Sequence, residues 1–185
     1  MCGIGGLISK DSTDIIPLTK TMMISMNKRG PDGTGLFVDK KVYQFESPEK
    51  IICNTSNNKL ALGHIRLAIV GDKTHIQPIQ SCDGKLVMEH NGEIYNYKML
   101  KERLQKDHTF VSNTDSEVVI HLLEHYYKEN GFSNLLDAIK KTVADIDGIY
   151  AIAIKAQKED KIYLVRDRLG IRPLYYGQND DVIGF

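Results

Sequence analysis

The sequence has little of what marks a membrane, secreted or nucleic-acid-binding protein. Its 185 residues contain no tryptophan, and 24 basic residues balance 24 acidic ones. A neutral chain without a lysine- or arginine-rich block lacks the basic stripe that binds nucleic acid. No apolar run approaches the ~18 residues of a membrane span, and the amino terminus lacks the basic and apolar regions of a signal peptide. We therefore expect a folded, soluble, cytoplasmic protein that binds neither nucleic acid nor membrane.

Cysteine is also scarce, and its spacing argues against a metal centre. The three cysteines, at positions 2, 53 and 82, form no CxxC pair and no cysteine–histidine cluster at the spacing typical of zinc sites. An odd number of cysteines in a cytosolic chain indicates thiols rather than disulfides. We expect Cys53 and Cys82 to be inert, and we expect no metal ligands. Cys2 differs because it directly follows the initiator methionine.

The hydrophobic periodicity predicts strands at both ends of the chain and helices in the middle. Thr114 and Glu117 have the spacing of a capping box at the start of a helix. Because alternating β-α-β units are absent, antiparallel sheets with separately grouped helices are favoured. Strands are predicted at 2–8, 36–38, 41–45, 60–70, 86–90, 148–156, 161–165 and 174–176, and helices at 17–26, 97–105, from 115 and from 133.

Glycines and apolar spacing give finer expectations for some of these elements. Gly63 is expected to interrupt the strand at 60–70. The pair Asn91-Gly92, common in tight turns, is expected to end the strand at 86–90. Asp39-Lys40 is expected to link the strands of a hairpin. The helix faces expected to be buried carry Leu18, Met22 and Met26 in the first helix and Leu135, Leu136 and Ile139 in the last.

Cys2 is the first candidate for chemistry. If Met1 is removed, the thiol and the free α-amine of one residue lie a few bonds apart. An α-amine has a pKa of ~7.7–8.0 and a thiol ~8.5, so Cys2 would supply both a nucleophile and a base, as N-terminal-nucleophile catalysis requires. Taken alone, position 2 favours the simpler interpretation of a cysteine without function.

The tripeptide Asn91-Gly92-Glu93 is the second candidate. It could aim an amide side chain and an unhindered backbone N–H at one oxygen, as an oxyanion hole requires. The alternative, which the tripeptide alone favours, is a plain hairpin turn.

Two charged residues could bind an amino acid. Arg66 has apolar neighbours in a strand pattern, so it is either a surface residue or a guanidinium that binds a carboxylate. Asp115, in the first turn of a helix, is either a dipole-favoured surface charge or a ligand for an ammonium group. Together they would hold the two ends of a free amino acid. His64 is interpreted as a structural histidine.

These residues stand in segments that resemble one family over nearly the whole chain. The segments resemble the glutaminase domain of class II glutamine amidotransferases. NGEIYNY and RDRLGIRPLYYG resemble the asparagine synthetase type more than the hexosephosphate or phosphoribosylpyrophosphate amidotransferases. The matching segments are MCGIGG at 1–6, RGPDGTG at 29–35, GHIRLAIV at 63–70, QPI at 77–79, NGEIYNY at 91–97, SNTDSEVVIHLLEHY at 112–126, IDGIYAIAI at 146–154 and VRDRLGIRPLYYG at 165–177.

The resemblance implies an α+β fold, a four-layer αββα sandwich of two antiparallel sheets, as in N-terminal-nucleophile hydrolases. It implies that Cys2 attacks the carboxamide of L-glutamine, that Asn91 and Gly92 hold the oxyanion, and that a γ-glutamyl thioester is hydrolysed to glutamate, releasing ammonia. No metal or other cofactor is implied for this half-reaction. The implied substrate-binding residues are Arg66, Leu67, Ala68, Ile69, Val70, Asn91, Gly92, Glu93 and Asp115.

The resemblance also sets expectations for the rest of the protein. Residues 1–185 would form the amidotransferase domain and stop before its last strand, and the synthetase domain that uses ATP and Mg²⁺ to make asparagine from aspartate would be absent. The implied partners are L-glutamine, a C-terminal synthetase domain of the full-length protein and a second copy in a homodimer. The alternatives are an ammonia donor for another acceptor, such as a sugar phosphate, and a non-catalytic structural relative.

Overall fold

The computed structural model describes residues 1–11, 14–53, 58–68, 75–159 and 161–185. None of the helices in these ranges is long and apolar enough to cross a membrane. The helices are α1 (Ile16–Met26), α2 (Tyr97–Leu104), α3 (Asp115–Glu129) and α4 (Leu135–Asp145). The strands are β1 (Gly3–Ser9), β2 (Gly33–Val38), β3 (Lys41–Phe45), β4 (Leu60–Arg66), β5 (Ile79–Gln80), β6 (Leu86–Ile94), β7 (Gly148–Ala156), β8 (Ile162–Arg166), β9 (Gly177–Gln178) and β10 (Val182–Gly184).

These strands form two antiparallel sheets. The first has the order β3-β2-β4-β1-β10-β9, and the second has the order β5-β6-β7-β8. In the first sheet, Gly5 of β1 lies opposite Gly63 of β4. In the second, Gly92 of β6 lies opposite Tyr150 of β7. The strand that begins directly after Cys2 is therefore an inner strand, paired on both sides.

Three apolar clusters show how the layers stack. One packs α1 against the first sheet and buries Met23 and Ile65. Another packs α2, α3 and α4 against the second sheet. The third lies between the sheets and contains Phe37, Leu62 and Val87. The predicted four-layer αββα arrangement is confirmed.

Two local sequence signals, the hairpin turn and the N-cap of α3, are confirmed. Asp39 and Lys40 have φ angles of 49° and 62°, the left-handed pair of a two-residue hairpin turn, and they link β2 to β3. Thr114 caps α3 by accepting a hydrogen bond from the N–H of Glu117 at 3.3 Å. In a standard capping box the Glu117 carboxylate would accept the backbone N–H of Thr114. Here it accepts the N–H of Ser112, two residues earlier, at 2.7 Å.

Both predicted strand interruptions are wrong. β4 runs through Gly63, where α1 packs so closely that a Cβ would lie 2.5 Å from Met23 Sδ. β6 continues through Asn91 and Gly92, and a Cβ at Gly92 would lie 2.1 Å from the carbonyl oxygen of Ile149 in β7. Each glycine permits a neighbour to approach closely rather than ending a strand.

One helix turns a different side to the core than its spacing predicted, and a second does so at one residue. In α1, Thr19 and Met23 are buried while Leu18 is 44 % exposed. In α4, Leu135 and Ile139 are buried as predicted, but Leu136 is 46 % exposed. Apolar residues on a short helix fit more than one face, and packing against the sheet selects between them. The strand expected at 174–176 is also wrong, because pairing begins only at β9.

Two ionisable side chains lie fully buried between the sheets. They are His64 of β4 and Glu89 of β6. Burial lowers the pKa of His64 to about 3, and the charge of Arg66 acts in the same direction. Burial raises the pKa of the Glu89 carboxyl well above its ordinary value. His64 is therefore uncharged in the folded protein at neutral pH, and burial disfavours the charged form of Glu89.

We expect His64 to make the protein less stable as the pH falls. The unfolded chain binds a proton at this histidine near ~6.5, whereas folded His64 stays neutral down to about pH 3. Between these values protons favour the unfolded state, so stability is lost as the pH drops below ~6.5. In urea unfolding at pH 7 and pH 5, the loss in the wild type should exceed that in His64→Gln by about 2 kcal/mol. Equal losses in the two proteins would contradict a neutral, buried His64.

Candidate functional site

A polar pocket lies between the start of β1, the end of β4, the middle of β6 and the start of α3. It brings together six of the residues that the sequence predicted. These are Cys2, Arg66, Leu67, Asn91, Gly92 and Asp115. The other lining residues are Met1, Gln77, His90, Thr114, Ser116 and Arg172.

Cys2 is half-buried, with its sulfur against the backbone of Leu67. The N–H of Leu67 donates to Cys2 Sγ at 3.4 Å, and Sγ lies 3.5 Å from the carbonyl oxygen of the same residue. Arg29 Nε donates to the carbonyl oxygen of Cys2 at 3.1 Å. Burial raises the pKa of the Cys2 thiol, while the Leu67 N–H, the amino terminus and Arg66 oppose that rise. The pocket thus buries the thiol but directs a donor and positive charge at it.

The loop before β2 holds Leu67 in place. A Cβ at Gly30 would lie 2.3 Å from the carbonyl carbon of Arg66, so only glycine permits this contact. The N–H of Asp32 donates to the Arg66 carbonyl oxygen at 3.0 Å. The Asp32 carboxylate accepts the N–H of Ala68, also at 3.0 Å. Leu67 is therefore fixed from both sides, together with the donor that it presents to the thiol.

The register of the second sheet turns the N–H of Gly92 away from β7. Gly92 lies opposite Tyr150, whose backbone is bonded to Asp167 beyond the end of β8. The carbonyl oxygen of Tyr150 accepts the N–H of Asp167 at 2.8 Å, and its N–H donates to the Asp167 carboxylate at 3.3 Å. Antiparallel partners that do not bond each other point their backbone groups outward. The Gly92 N–H therefore points to the opposite edge of β6, where the pocket lies.

The backbone N–H groups two residues before and after Gly92 point to the same edge of β6, and their hydrogen-bond partners show what lies there. The N–H of His90 donates to Gln77 Oε1 at 2.6 Å, and the N–H of Ile94 donates to Asp115 Oδ2 at 2.9 Å. The N–H of Gly92 stands between these two, with the pocket in front of it. The QPI segment thus fixes one flank of this backbone donor, and the first residue of α3 fixes the other.

Asn91 reaches the pocket from between the sheets. Side chains alternate along a strand, so Asn91 shares the face of Val87, which packs against the first sheet. Its side chain is buried and lines the pocket. Asn91 and Gly92 therefore supply an amide and a backbone N–H from successive positions of one strand, although the predicted turn is absent.

One guanidinium and one carboxylate complete the pocket. Arg66 and Asp115 are each 5 % exposed. Arg66 Nη1 donates to the carbonyl oxygen of His75, and Asp115 Oδ1 accepts the N–H of Ser116 at 3.0 Å. Arg66 lowers and Asp115 raises the pKa of Cys2, so both charged groups act on the sulfur.

Two of the predicted substrate-binding residues, Ala68 and Glu93, are not among the described residues that line the pocket. Glu93 lies at its margin, with its carboxylate 3.4 Å from Arg172 Nη2. Ala68 contributes its N–H to the loop contact described above. Ile69 and Val70 lie outside the described residues.

Arg172 is a pocket residue that the sequence reasoning missed. It lies between β8 and β9 in a loop folded around Asp167, whose carboxylate accepts the N–H of Ile171 at 2.9 Å and that of Arg172 at 3.0 Å. Arg172 Nη1 lies 2.6 Å from Met1 Sδ. The segment RDRLGIRPLYYG supported the resemblance, but nothing local in it showed that Arg172, its third arginine, faces the amino terminus.

The fold and the placement of the site define a class of protein. The fold is that of the N-terminal-nucleophile amidotransferases. Over its whole length the chain matches the solved structure of glutamine phosphoribosylpyrophosphate amidotransferase from Bacillus subtilis, with a TM-score of 0.79 and 26 % sequence identity, covering 41 % of that chain.

Sequence comparisons define the family. The model of the glutamine amidotransferase domain matches residues 48–185. A putative glutamine-hydrolysing asparagine synthetase from Methanocaldococcus jannaschii is 35 % identical over the whole chain, which covers 32 % of that protein. The glutamine–fructose-6-phosphate aminotransferase of Streptococcus agalactiae is 34 % identical over 91 % of the chain and 29 % of that protein. The chain belongs to the class II glutamine amidotransferases, and it spans about a third of the length of these curated relatives.

Proposed function

We propose that the chain hydrolyses L-glutamine to glutamate and ammonia with Cys2 as its nucleophile. The observation that carries the proposal is the convergence in one pocket of a thiol, an amide side chain, an inward backbone N–H, a guanidinium and a carboxylate. Each group suits one part of glutamine: the thiol and the two donors suit the carboxamide, and the two charges suit the α-carboxylate and the α-ammonium.

The first half of the reaction forms an acyl-enzyme. After removal of Met1, the α-amine of Cys2 accepts the thiol proton, and the sulfur attacks the carboxamide carbon. The Leu67 N–H at 3.4 Å stabilises the thiolate. The Asn91 amide and the Gly92 N–H donate to the oxyanion that develops on the former carbonyl oxygen. When the C–N bond breaks, the α-amine returns the proton to the departing nitrogen, and ammonia leaves a γ-glutamyl thioester.

In the second half of the reaction, water is the nucleophile and the thiolate of Cys2 is the leaving group. The α-amine of Cys2 takes a proton from a water molecule as its oxygen attacks the thioester carbon. The same two donors hold the second oxyanion. The C–S bond then breaks, the thiol regains its proton, and glutamate is released. No metal ion or other cofactor is needed for either half.

Arg66 would bind the α-carboxylate of glutamine, and Asp115 the α-ammonium group. A charged hydrogen bond is worth about 1.5–3 kcal/mol, so Arg66→Ala should raise the KM for glutamine about 10- to 100-fold and change kcat less. Steady-state kinetics on folded protein measure this split. Arg103→Ala, which removes an exposed arginine paired with Asp145, is the matched control. An unchanged KM in Arg66→Ala would remove Arg66 from the substrate site.

We further propose that the ammonia serves asparagine synthesis from aspartate and ATP. The similarity to a relative named as a glutamine-hydrolysing asparagine synthetase supports this acceptor, as does the segment NGEIYNY. ATP and Mg²⁺ would act in a synthetase domain and not in the pocket around Cys2. The comparable identity to a fructose-6-phosphate aminotransferase favours a sugar phosphate as the second candidate acceptor.

The acceptor is tested on the protein expressed from its complete gene. Glutamine labelled with ¹⁵N in its side-chain amide is supplied with aspartate and Mg-ATP, or with fructose 6-phosphate. Labelled asparagine would support the proposal, whereas a labelled amino sugar phosphate would favour the second acceptor. Glutamate release without label in either product would contradict both acceptors and leave the hydrolysis itself intact.

A further inference from the structure

A second cluster of reactive side chains lies against α3, and none of its residues lines the glutamine pocket. It consists of Cys82, His108, His121 and Glu124. Cys82 follows β5 in the connection to β6, His108 lies between α2 and α3, and the other two residues are on α3. His121 and Glu124 stand one turn apart, so they share a face of the helix. The cluster therefore joins three segments that are distant in sequence.

Two of the distances within the cluster match those of a tetrahedral metal site. One possible ligand atom from each residue lies within 4.8 Å of all the others. With zinc bonds of about 2.3 Å to sulfur and about 2.0 Å to nitrogen or oxygen, neighbouring ligand atoms stand about 3.3–3.6 Å apart. Cys82 Sγ is 3.5 Å from His121 Nδ1, and Glu124 Oε2 is 3.6 Å from the same nitrogen. Two pairs of ligand atoms thus already lie at the spacing that the ion requires.

The contact between His108 and Glu124 also points to a shared ligand. His108 Nδ1 is 3.2 Å from Glu124 Oε2, and both side chains are almost fully buried. Nevertheless, within the described part of the chain His108 Nδ1 has no partner that meets the geometry of a hydrogen bond. A buried nitrogen and a carboxylate oxygen that approach without a hydrogen bond suit a cation that both can coordinate.

The surroundings complete the pattern of a metal centre. His121 Nε2 lies 3.5 Å from Glu117 Oε1, which places a carboxylate behind the ring nitrogen opposite the cluster, as is usual for metal-bound histidines. The second oxygen of Glu124 lies 3.1 Å from Lys128 Nζ and accepts the N–H of Asp83 at 3.2 Å. Cys82 is exposed, so an ion has a path to the three buried ligands.

We propose that Cys82, His108, His121 and Glu124 bind one Zn²⁺ ion. A thiolate and a carboxylate neutralise its two charges, and two neutral imidazoles complete a set of four ligands, each of a type that binds zinc in proteins. The ion ties the β5–β6 connection and the α2–α3 connection to α3. Because Asp115 begins that helix less than two turns before His121, the site also anchors the helix that carries one wall of the glutamine pocket.

Cobalt is the probe that tests this site, because thiolate-bound Co²⁺ absorbs in the near ultraviolet and tetrahedral Co²⁺ gives intense visible bands. The purified protein, stripped of metal with a chelator, should bind one equivalent of Co²⁺ with both signatures and release it to Zn²⁺. Cys82→Ser should remove the thiolate band. His121→Gln should weaken binding by at least about tenfold.

Two matched variants show that the signal comes from this cluster. Cys53→Ser removes another cysteine, and His125→Gln removes a histidine of the same helix whose side chain faces Glu129. Both should keep the full cobalt spectrum, and so should Cys2→Ala, which separates this site from the glutamine pocket. Absence of one-to-one binding, a thiolate band that survives Cys82→Ser, or a band lost in Cys2→Ala would each overturn the proposal.

Discussion

Cys2→Ala is expected to reduce glutamate release from L-glutamine by about 10⁴-fold or more, because loss of the nucleophile removes the covalent route altogether. The protein should remain folded, since the thiol is half-buried and its main contact is with the backbone of Leu67. A coupled glutamate assay measures the rate, and circular dichroism checks the fold. Cys53→Ala is the matched control and should keep full activity.

This variant also separates the enzyme from a non-catalytic relative with the same fold. Activity that survives Cys2→Ala would show that another residue or a contaminant releases the glutamate. A wild-type protein without activity is informative once its intact mass is known, because retained Met1 converts the α-amine of Cys2 into an amide. An inactive protein whose mass shows that Met1 is gone would favour a structural role for this domain.

Asn91→Ala is expected to lower kcat about 10²–10³-fold and to change the KM for glutamine little. Its amide is proposed to donate to the oxyanion, which exists in the transition state and not in bound glutamine. Activity should remain above that of Cys2→Ala, because the Gly92 N–H still faces the pocket. Asn113→Ala removes an exposed asparagine just before α3 and should change neither constant. A change in KM alone would assign Asn91 to substrate binding.

The sequence predicted best the features that depend on a few neighbouring residues. The cap of α3 at Thr114 and the hairpin turn at Asp39-Lys40 were both predicted correctly, because each is determined by local backbone chemistry. The grouping of strands and helices also followed from periodicity alone. The stacking of the sheets into four layers came only from the resemblance, since no local pattern shows which face of one sheet meets the other.

The failures share one physical cause, which is contact between distant segments. Asn91-Gly92 is a common turn pair, but the backbone of β7 approaches Gly92 closely and extends the strand through it. The same N–H is useful to the pocket only because Tyr150 is bonded to Asp167 instead. Similarly, Cys82 and His108 gave no metal signal in the sequence, since only the fold brings them to α3.

The most direct test of the account is to trap the acyl-enzyme. The protein is mixed with L-glutamine, quenched in acid within the first turnovers, digested and analysed by mass spectrometry. A γ-glutamyl adduct is expected on a peptide that begins at Cys2 and lacks Met1, and no adduct is expected in Cys2→Ala. A glutamyl adduct on any other residue, or steady glutamate release from a protein that keeps Met1, would contradict the account.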